Sequence, residues 1–312
     1  MTDKKYLIII AGPTASGKTV AAVEIAERLG TEIISADSRQ VYREMMIGTA
    51  VPGPGQLERV RHHLIGHRSV SEDYNASIFE NEALAVLEKI FSQNDTAVMA
   101  GGSGLYIDAI CKGIDDLPAI NKEVRARMKK LYGEVGLDGI KERLQHTDEL
   151  YYEKADLNNP SRILKALEVH EMTGRPYSSF LTGPKKKRNF ITIKIGLDVE
   201  RKVLHDRINN RVDLMIAEGL VREARTLYPF KGLNALNTVG YKELFLYFDN
   251  IISLDEAIIQ IKSHTRQYAR RQLTWFRKDR EFKWFGANSI NEMFEYINTI
   301  MKENGVTGAE AL

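Results

Sequence analysis

The chain has 312 residues, of which 43% are hydrophobic and 28% charged, and its formal net charge is +2. This composition is typical of a globular protein, and a charge so close to zero neither indicates nor excludes a nucleic-acid partner. The single cysteine, Cys111, excludes an internal disulfide and a cysteine-rich zinc module. No apolar run reaches the roughly 20 residues that cross a bilayer, and no signal-peptide pattern is present. Nothing requires a partner subunit, so we expect a monomer in the cytoplasm, without contact with a membrane.

A glycine-rich loop follows the first apolar run of the chain, YLIIIA. In such a loop, between a buried strand and a helix N-terminus, backbone N–H groups bind a diphosphate. Lys18 would place its ammonium between phosphate groups, and Thr19 would offer its hydroxyl to Mg²⁺. ATP is the usual ligand, but the loop leaves the group attached to the phosphates open, and a chance match is the alternative. The pattern G-x-x-x-x-G-K-[ST] is matched at every fixed position by Gly12, Pro13, Thr14, Ala15, Ser16, Gly17, Lys18 and Thr19.

Two further strand ends are expected beside this loop. Residues 31–36 predict a strand that ends at Asp37, and ligands of parallel sheets bind at the carboxyl ends of the strands. Residues 48–74 follow as a surface segment over the site, with little regular structure. Residues 96–100 predict the next strand, which ends in two glycines at 101–102, where a nucleotide-hydrolysing motor usually carries a metal-holding aspartate. We expect these glycines to admit a bulky ligand, and they argue against an ATP-driven machine.

The pattern changes after about residue 112. Residues 113–189 show helical periodicity and no strand pattern, which predicts an all-helical insertion domain. The basic run 185–188 at its end is expected to be a solvated loop. Residues 190–198 alternate like a strand and should rejoin the sheet. The predicted fold is therefore α/β: a P-loop NTPase-like parallel sheet with helices on both faces, formed by residues 1–112 and 190–312, with the helical insertion between them.

The most basic part of the chain lies between residues 261 and 280. It carries seven cations and one acid, so this segment has a local charge of +6. Clustered cations with interleaved aromatic residues are typical of a surface that binds a nucleic-acid backbone. The alternative is that the arginines are solvated or pair with acids elsewhere. We expect Trp275 and Phe276 in the core, because large rings are mostly buried. The cations of this basic segment are Lys262, Arg266, Arg270, Arg271, Arg277, Lys278 and Arg280.

Six segments occur in order between residues 6 and 285: GPTASGKT, ISADSRQVY, GTAVP, AGGSGLY, DLNNPSRILKALEV and RQLTWFRKD. Together they resemble the tRNA dimethylallyltransferase family, also called tRNA isopentenyltransferases. The likeness is to the bacterial members, which lack the C-terminal zinc finger of the eukaryotic ones. It implies transfer of a dimethylallyl group from dimethylallyl diphosphate to N6 of the adenosine just 3′ of the anticodon, in tRNAs that read codons beginning with U.

The resemblance also implies roles for individual residues. It makes Asp37 the base that takes the proton of the adenine amine, places Thr14 near the reacting group, and lets Arg211 contact the diphosphate from the far side. For Asp37, a Mg²⁺ ligand and a helix cap are the alternatives. The basic segment adds Arg270 and Arg271 as expected contacts of the anticodon stem-loop. The positions that match tRNA contacts of the family are Asp37, Ser38, Arg39, Gln40, Ser103, Arg125, Ser161, Arg162, Ile163, Leu164 and Lys165.

Two other functions compete with this interpretation. A small-molecule or nucleoside kinase would use the same loop, with Asp37 as the base for a substrate hydroxyl. It explains the first 110 residues equally well, but neither the basic segment nor the helical insertion. A non-catalytic, nucleotide-switched RNA-binding protein is the second alternative. In the transferase interpretation the target base must leave the stacked anticodon arm to reach the diphosphate, so a flipped nucleotide is expected.

Overall fold

The computed structural model describes residues 4–305, except 116, 119, 182, 184 and 185. Within these residues the strands are β1 (Tyr6–Ala11), β2 (Ile33–Ser35), β3 (His62–His63), β4 (Thr96–Gly101), β5 (Ile191–Asp198) and β6 (Lys283–Gly286). The helices are α1 (Lys18–Arg28), α2 (Pro54–Arg59), α3 (Ala76–Phe91), α4 (Gly104–Lys112), α5 (Lys122–Thr147), α6 (Glu149–Tyr152), α7 (Pro160–Thr173), α8 (Arg201–Glu218), α9 (Leu220–Leu227), α10 (Tyr241–Phe248), α11 (Leu254–Arg277) and α12 (Ile290–Glu303).

The strands of the described residues form one parallel sheet in the order β3-β2-β4-β1-β5-β6. β1 pairs with β4 on one side and with β5 on the other, along its whole length. Every residue of β1 is fully buried, as expected for an apolar strand of a parallel sheet. Residues of β1, α1 and α12 pack together in one apolar cluster. The predicted α/β fold with a parallel, P-loop-type sheet is confirmed.

The strand order brings three loops to one edge of the sheet. From β1 the chain moves to one side for β2, β3 and β4, and then crosses to the other side for β5 and β6. Ligands of α/β sheets bind beyond the carboxyl ends of the strands, where the order reverses in this way. The glycine-rich loop after β1, Asp37 after β2 and Gly102 after β4 all lie at this edge.

The two glycines after β4 are required by the protein's own packing. A Cβ at Gly101 would overlap the carbonyl of Ala36, just after β2, and a Cβ at Gly102 would overlap the side-chain amide of Gln272 on α11. The glycines therefore let two other parts of the chain approach β4. This reason differs from the expected one, which was the approach of a bulky ligand.

The chain divides into two compact units. One unit runs to Lys112 and resumes at Lys187, and it carries the sheet. The other, Gly113–Lys186, is entirely helical in its described residues. The sequence places the insertion at 113–189.

The helical unit has its own apolar core. Within it, α5 changes direction at Gly136, whose φ of 66° lies in the left-handed region that glycine adopts without strain. Both halves of α5 and the helix α7 contribute to one cluster, which includes Val124, Ile140 and Ile163. The apolar positions that the sequence assigns to separate helical faces therefore meet in a single core.

The C-terminal part of the chain departs from the sequence-based expectation. The segment Ser253-Leu254-Asp255-Glu256 has the pattern of a capping box and predicts the start of a last long helix. That helix is α11, but β6 and α12 follow it. β6 extends the sheet beside β5, and α12 packs on the main core through Met293, Ile297 and Met301. The expected frayed end at 303–312 lies largely outside the described residues.

Two surface expectations also fail. Residues 48–74 contain α2 and β3, where little regular structure is predicted. Arg188, the last residue of the predicted solvated run, is mostly buried and donates to Glu80 at 2.6 Å and to two carbonyl oxygens of α4. A buried carboxylate favours such a cationic partner. Lys187 is exposed as expected, and Lys185 lies outside the described residues.

Candidate active site

The glycine-rich loop joins β1 to α1 and has the tightly turned backbone of an anion site. Ala15 and Gly17 adopt left-handed φ values of 62° and 95°, and the Ser16 N–H donates to the carbonyl of Pro13 at 3.2 Å. Because α1 begins at Lys18, its unpaired N–H groups face the loop and favour negative charge. Ser16 itself is fully buried.

A cavity of about 390 Å³ lies beside this loop. Its wall brings together three charged side chains that the sequence singled out: Lys18, Asp37 and Arg211. Thr14 and Thr19 of the loop also line it. These residues come from the loop after β1, the end of β2 and α8, which are far apart in sequence. The wall also includes the apolar residues Ile208, Val212, Met215 and Leu220, and the predicted RNA contacts Ser38, Arg39, Gln40 and Arg271.

The charge balance of the cavity is positive. Lys18 Nζ donates to the carbonyl of Pro13 at 2.6 Å. Burial, and then the neighbouring charge of Arg211, lower the pKa of Lys18 from 10.5 to about 7, while Asp37 raises it. Burial also lowers the pKa of Arg211, and Asp37 opposes this effect. Two cations beside one carboxylate suit a ligand that carries several negative charges.

Asp37 is anchored by the turn that follows β2. Its Oδ1 accepts the N–H groups of Arg39 at 2.9 Å and Gln40 at 3.3 Å. Among the described residues, Oδ2 has no hydrogen-bond partner, and the carboxylate lines the cavity. The turn is tied to α4, because the Ser103 hydroxyl accepts the Ser38 N–H at 2.9 Å. These bonds stabilise a turn, and no helix begins here among the described residues, so Asp37 is not a helix cap and keeps one oxygen free to act in the cavity.

Gln40 holds the opposite wall of the cavity. Its amide donates to the carbonyls of Thr49 and Ala50 at 3.2 and 3.1 Å, and accepts from the Ser35 hydroxyl at 3.0 Å. Arg211 donates to the same Ala50 carbonyl at 3.4 Å. Both amide donors of Gln40 are therefore used within the protein, and its contact with tRNA stays a prediction.

The segment Gly48–Ala50 is held by two residues that the sequence analysis missed. Glu223 on α9 accepts the N–H groups of Ile47 and Gly48 at 2.8 and 2.9 Å, and the hydroxyl of Tyr241 at 2.7 Å. A Cβ at Gly48 would lie 2.5 Å from that hydroxyl oxygen. An acid in an amphipathic helix gives no sign of such a role, because acids there are usually solvated.

α11 contributes two further missed residues, Tyr268 and Gln272, which line the cavity. Burial, and then the Asp37 carboxylate, raise the pKa of Tyr268 to about 12, so its hydroxyl keeps its proton. Gln272 is 6% exposed, and it contacts the loop directly. Both positions lie close to arginines in the sequence, so the segment looks exposed to solvent, and its sequence does not indicate that these two side chains line a cavity.

The basic segment runs from Ile261 in α11 to the end of that helix and into the turn after it. Three of its cations have partners: Lys262 pairs with an acid of α8, Arg266 donates to an asparagine of α8, and Arg277 pairs with Asp198. Arg270 and Arg271 are exposed, and they have no acidic partner among the described residues. The arginines that the sequence singled out as RNA contacts are thus available to a polyanion, as are the exposed Lys278 and Arg280.

The two aromatic residues of this segment behave differently. Phe276 is 1% exposed and belongs to the core, as expected. The expectation is wrong for Trp275, which is 42% exposed. Its Nε1 donates to Asp108 of α4 at 2.9 Å, and its ring occupies the space that a side chain at Gly104 would fill. The ring is held at the surface by these contacts.

The predicted RNA contacts of the helical unit lie on α5 and α7. Ser161 and Arg162 are exposed at the start of α7, and Arg125 and Lys165 are half-buried. Burial, opposed by Glu168 and aided by Arg125, lowers the pKa of Lys165. Ile163, which follows Arg162 on α7, is fully buried in the apolar core. Its side chain cannot contact a substrate in solution, so the expectation does not hold for it. Leu164 is half-buried.

The residues at the loop fit a magnesium ion that is bound mainly through substrate. Thr19 follows Lys18 and lines the cavity. The described residues contain no group of three or more His, Cys, Asp or Glu side chains that could enclose a metal. Mg²⁺ commonly takes one or two protein oxygens and completes its shell with phosphate oxygens and water. A single hydroxyl beside a diphosphate site satisfies that requirement.

Comparison with known proteins points in one direction. Residues 40–279 match the IPP transferase family. A protein of Christiangramia forsetii named tRNA dimethylallyltransferase is 51% identical over 94% of this chain and 98% of its own length. The crystal structure of the tRNA isopentenylpyrophosphate transferase from Bacillus halodurans is 35% identical, with a TM-score of 0.70 over 96% of this chain and 98% of that one. A eukaryotic dimethylallyltransferase acting on tRNA is 24% identical and shares the fold, with a TM-score of 0.81 over 98% of this chain and 82% of that one.

Proposed function

This chain belongs to the tRNA dimethylallyltransferase family, and from that premise we propose how it acts. It transfers the dimethylallyl group of dimethylallyl diphosphate to N6 of the adenosine 3′-adjacent to the anticodon, in tRNAs that read codons beginning with U, and releases diphosphate. The observation that carries the proposal is the meeting of Lys18, Arg211 and Asp37 in one cavity. Two cations suit the departing diphosphate, and the carboxylate suits the amine.

The reaction exchanges one bond for another at the allylic carbon. The lone pair of the adenine N6 forms a bond to C1 of the dimethylallyl group as the bond between C1 and the diphosphate oxygen breaks. The electron pair of the broken bond leaves with the diphosphate. The amine is a poor nucleophile because its lone pair is delocalised into the ring, and Asp37 accepts its proton through the carboxylate oxygen on the cavity side as the new N–C bond forms.

Stabilisation of the leaving group is the second requirement. Negative charge grows on the bridging oxygen as the C–O bond breaks, and donors fixed in advance stabilise it most effectively. The loop N–H groups, Lys18 and Arg211 are such donors. Mg²⁺, held at the Thr19 hydroxyl, would neutralise further charge on the diphosphate when bound. Thr14, at the cavity end of the loop, lies beside the reacting group.

We assign the binding of tRNA to the exposed cations. Arg270 and Arg271 on α11 contact the phosphate backbone of the anticodon stem-loop, and they fix its register rather than its sequence. Arg39 and Ser38 border the cavity and receive the flipped target nucleotide. Arg125 and the exposed start of α7 supply contacts from the helical unit.

No helix among the described residues is long and apolar enough to cross a membrane. We propose that the protein acts as a monomer in the cytoplasm, where tRNA is found. Gel filtration with light scattering, with and without tRNA, tests the oligomeric state.

A double-label experiment tests the activity against the kinase alternative. The protein is incubated with Mg²⁺ and unmodified tRNA, together with dimethylallyl diphosphate carrying ¹⁴C in the alkyl chain or with γ-³²P-ATP. Transfer of ¹⁴C to tRNA, located at N6-dimethylallyladenosine after nuclease digestion, is the expected result. Transfer of ³²P to a nucleoside or to RNA, with no ¹⁴C incorporated, would overturn the proposal. A tRNA with guanosine at the target position is the matched substrate control.

A further inference from the structure

Gln272 on α11 joins the basic helix to the glycine-rich loop. Its Oε1 accepts the N–H of Thr14 at 2.9 Å, and its Nε2 donates to the carbonyl of Gly102 at 2.9 Å. A side chain at Gly102 would collide with this amide. One buried side chain therefore bridges the loops that follow β1 and β4.

The bridge reaches Lys18 through a single peptide unit. In a trans peptide the N–H and the C=O lie in one plane and point in opposite directions. The N–H of the Pro13–Thr14 peptide donates to Gln272, and its carbonyl accepts from Lys18 Nζ at 2.6 Å and from the Ser16 N–H at 3.2 Å. The orientation of Gln272 thus sets the plane of the peptide against which the lysine is held.

The primary amide of Gln272 satisfies both contacts, whereas an apolar or an ionised side chain of similar size does not. One partner is a donor and the other an acceptor, so an amide must accept on one side and donate on the other. A leucine leaves the Gly102 carbonyl and the Thr14 N–H without partners in a buried place. An ionised carboxylate accepts from the Thr14 N–H, but its second oxygen would face the carbonyl oxygen of Gly102, and neither atom can donate a hydrogen bond. Such unsatisfied buried groups destabilise the local arrangement.

We propose that Gln272 is a positioning residue for the transfer reaction: it orients the Pro13–Thr14 peptide, and through it Lys18, for binding the diphosphate. This rests on the proposed function for the reaction itself, but the loop geometry is independent of it. Gln272 also follows Arg270 and Arg271 directly on the same helix. The helix that we assign to the RNA backbone therefore also carries the residue that shapes the diphosphate loop.

Two substitutions and a matched control test this role. Gln272→Leu removes both hydrogen bonds at similar size, and Gln272→Glu removes only the donor. Gln267→Glu places the same new charge on the same helix, at an exposed position, and so controls for repulsion of RNA. In Gln272→Leu we expect the affinity for inorganic diphosphate and the kcat/KM for dimethylallyl diphosphate to fall about 10- to 100-fold. The Kd for tRNA should change less than about twofold, because the buried amide leaves the charge of the RNA-facing surface unaltered.

The pH profile of Gln272→Glu separates positioning from general damage. A carboxyl buried without a cation titrates well above its ordinary range, and its protonated form is isosteric with the amide. Once protonated, it donates to Gly102 as the amide does. The activity of Gln272→Glu relative to wild type should therefore rise as the pH falls from 8 to 6, while the deficit of Gln272→Leu stays constant. Taking the ratio to wild type cancels the titration of the substrate, which both proteins share, and Gln272→Leu shows whether misplacing the loop alone changes the pH profile.

The outcomes distinguish this role from the proposed function. If wild type transfers no dimethylallyl group but binds inorganic diphosphate at least about tenfold more tightly than Gln272→Leu, the positioning role stands and the function fails. Unchanged diphosphate affinity and turnover in both Gln272 variants, with wild type active, would overturn the positioning role. Equal losses in tRNA affinity, diphosphate affinity and melting temperature would also overturn it, because they would show a purely structural residue.

Discussion

The affinity of the cavity for dimethylallyl diphosphate should depend steeply on pH above neutrality. Burial and the charge of Arg211 lower the pKa of Lys18 to about 7, so above that pH the lysine is neutral in the ligand-free protein. A bound diphosphate favours the ammonium and raises its pKa. Affinity is therefore highest below pH 7, and it decreases as the pH rises towards the pKa of the complex.

The magnitude follows from the fraction of charged lysine. Each pH unit above the pKa leaves about tenfold less ammonium, so the Kd should rise by about tenfold per unit between pH 7.5 and 9.5. Binding at pH 8 should take up about 0.9 of a proton per ligand. A phosphate ester loses its last proton at about pH 6, so the substrate itself is fully ionised between pH 7.5 and 9.5.

Two neighbouring charges should move this profile in opposite directions. Asp37 raises the pKa of Lys18 and Arg211 lowers it. Asp37→Asn should therefore shift the midpoint to lower pH, and Arg211→Met should shift it to higher pH. The position of the midpoint is compared, not the affinity, because Arg211→Met also removes a contact with the ligand. Arg201→Met, at an exposed position of the same helix α8, is the matched control and should leave the midpoint in place.

Titration calorimetry of dimethylallyl diphosphate binding measures both quantities. Titrations at several pH values give the Kd, and repetition in buffers of different ionisation enthalpy gives the number of protons taken up. A Kd that stays constant from pH 7 to 9, with no proton uptake, would show that Lys18 is already charged and would refute the reasoning. A shift of both variants in the same direction would refute the electrostatic assignment.

Three further predictions concern catalysis and packing. Asp37→Ala should abolish transfer of the ¹⁴C-labelled alkyl group while a filter-binding assay gives a nearly unchanged tRNA Kd, and a mutant that keeps most of its turnover would remove the base from the mechanism. Gly101→Ala should lower the free energy of unfolding by about 1–3 kcal/mol or more, because its Cβ would overlap the carbonyl of Ala36. Gly133→Ala is the control: its Cβ meets open space in α5, so in the same urea titration it should raise the free energy of unfolding by about 0.5–1 kcal/mol. Glu223→Gln keeps the shape of the side chain but replaces one of the two oxygen atoms that accept the N–H groups of Ile47 and Gly48 by a donor. The KM for dimethylallyl diphosphate should therefore rise while the Kd for tRNA does not. Kinetics equal to those of wild type would show that the segment Gly48–Ala50 needs no such anchor.

The sequence predicts those parts of the site that short local motifs encode. The loop from Gly12 to Thr19 and the position of Asp37 at the next strand end both follow from strand, turn and helix patterns. Parallel strands end at one edge of a sheet, so the meeting of these two elements could be expected before the structure. Arg211 could not be found in this way, because an arginine in the middle of a charged helix resembles a solvated one. It enters the site only through the packing of α8 against α11 and Ala15 of the glycine-rich loop.

The missed residues share one physical property. Gln272, Glu223 and Tyr241 act through hydrogen bonds to groups that are distant in sequence: Gln272 and Glu223 accept backbone N–H groups, and Tyr241 donates to Glu223. Hydrophobic periodicity records which side of a helix is buried, but not which polar group lies there. Gly101 and Gly102, at the end of β4, show the same limitation. Their sequence indicates that something approaches closely, while the identity of Ala36 and Gln272 as the neighbours depends on the tertiary fold.

The shared loop explains why the motif alone cannot separate a kinase from an alkyl transferase. In both reactions negative charge grows on a phosphate oxygen as a bond to it breaks, and a loop of N–H groups with a lysine stabilises that charge equally well. What differs is the atom on the far side of the bond. Here part of the cavity wall consists of four apolar side chains, Ile208, Val212, Met215 and Leu220, which suit an alkyl group. The choice of reaction therefore lies in α8 and α9, more than 180 residues beyond the loop.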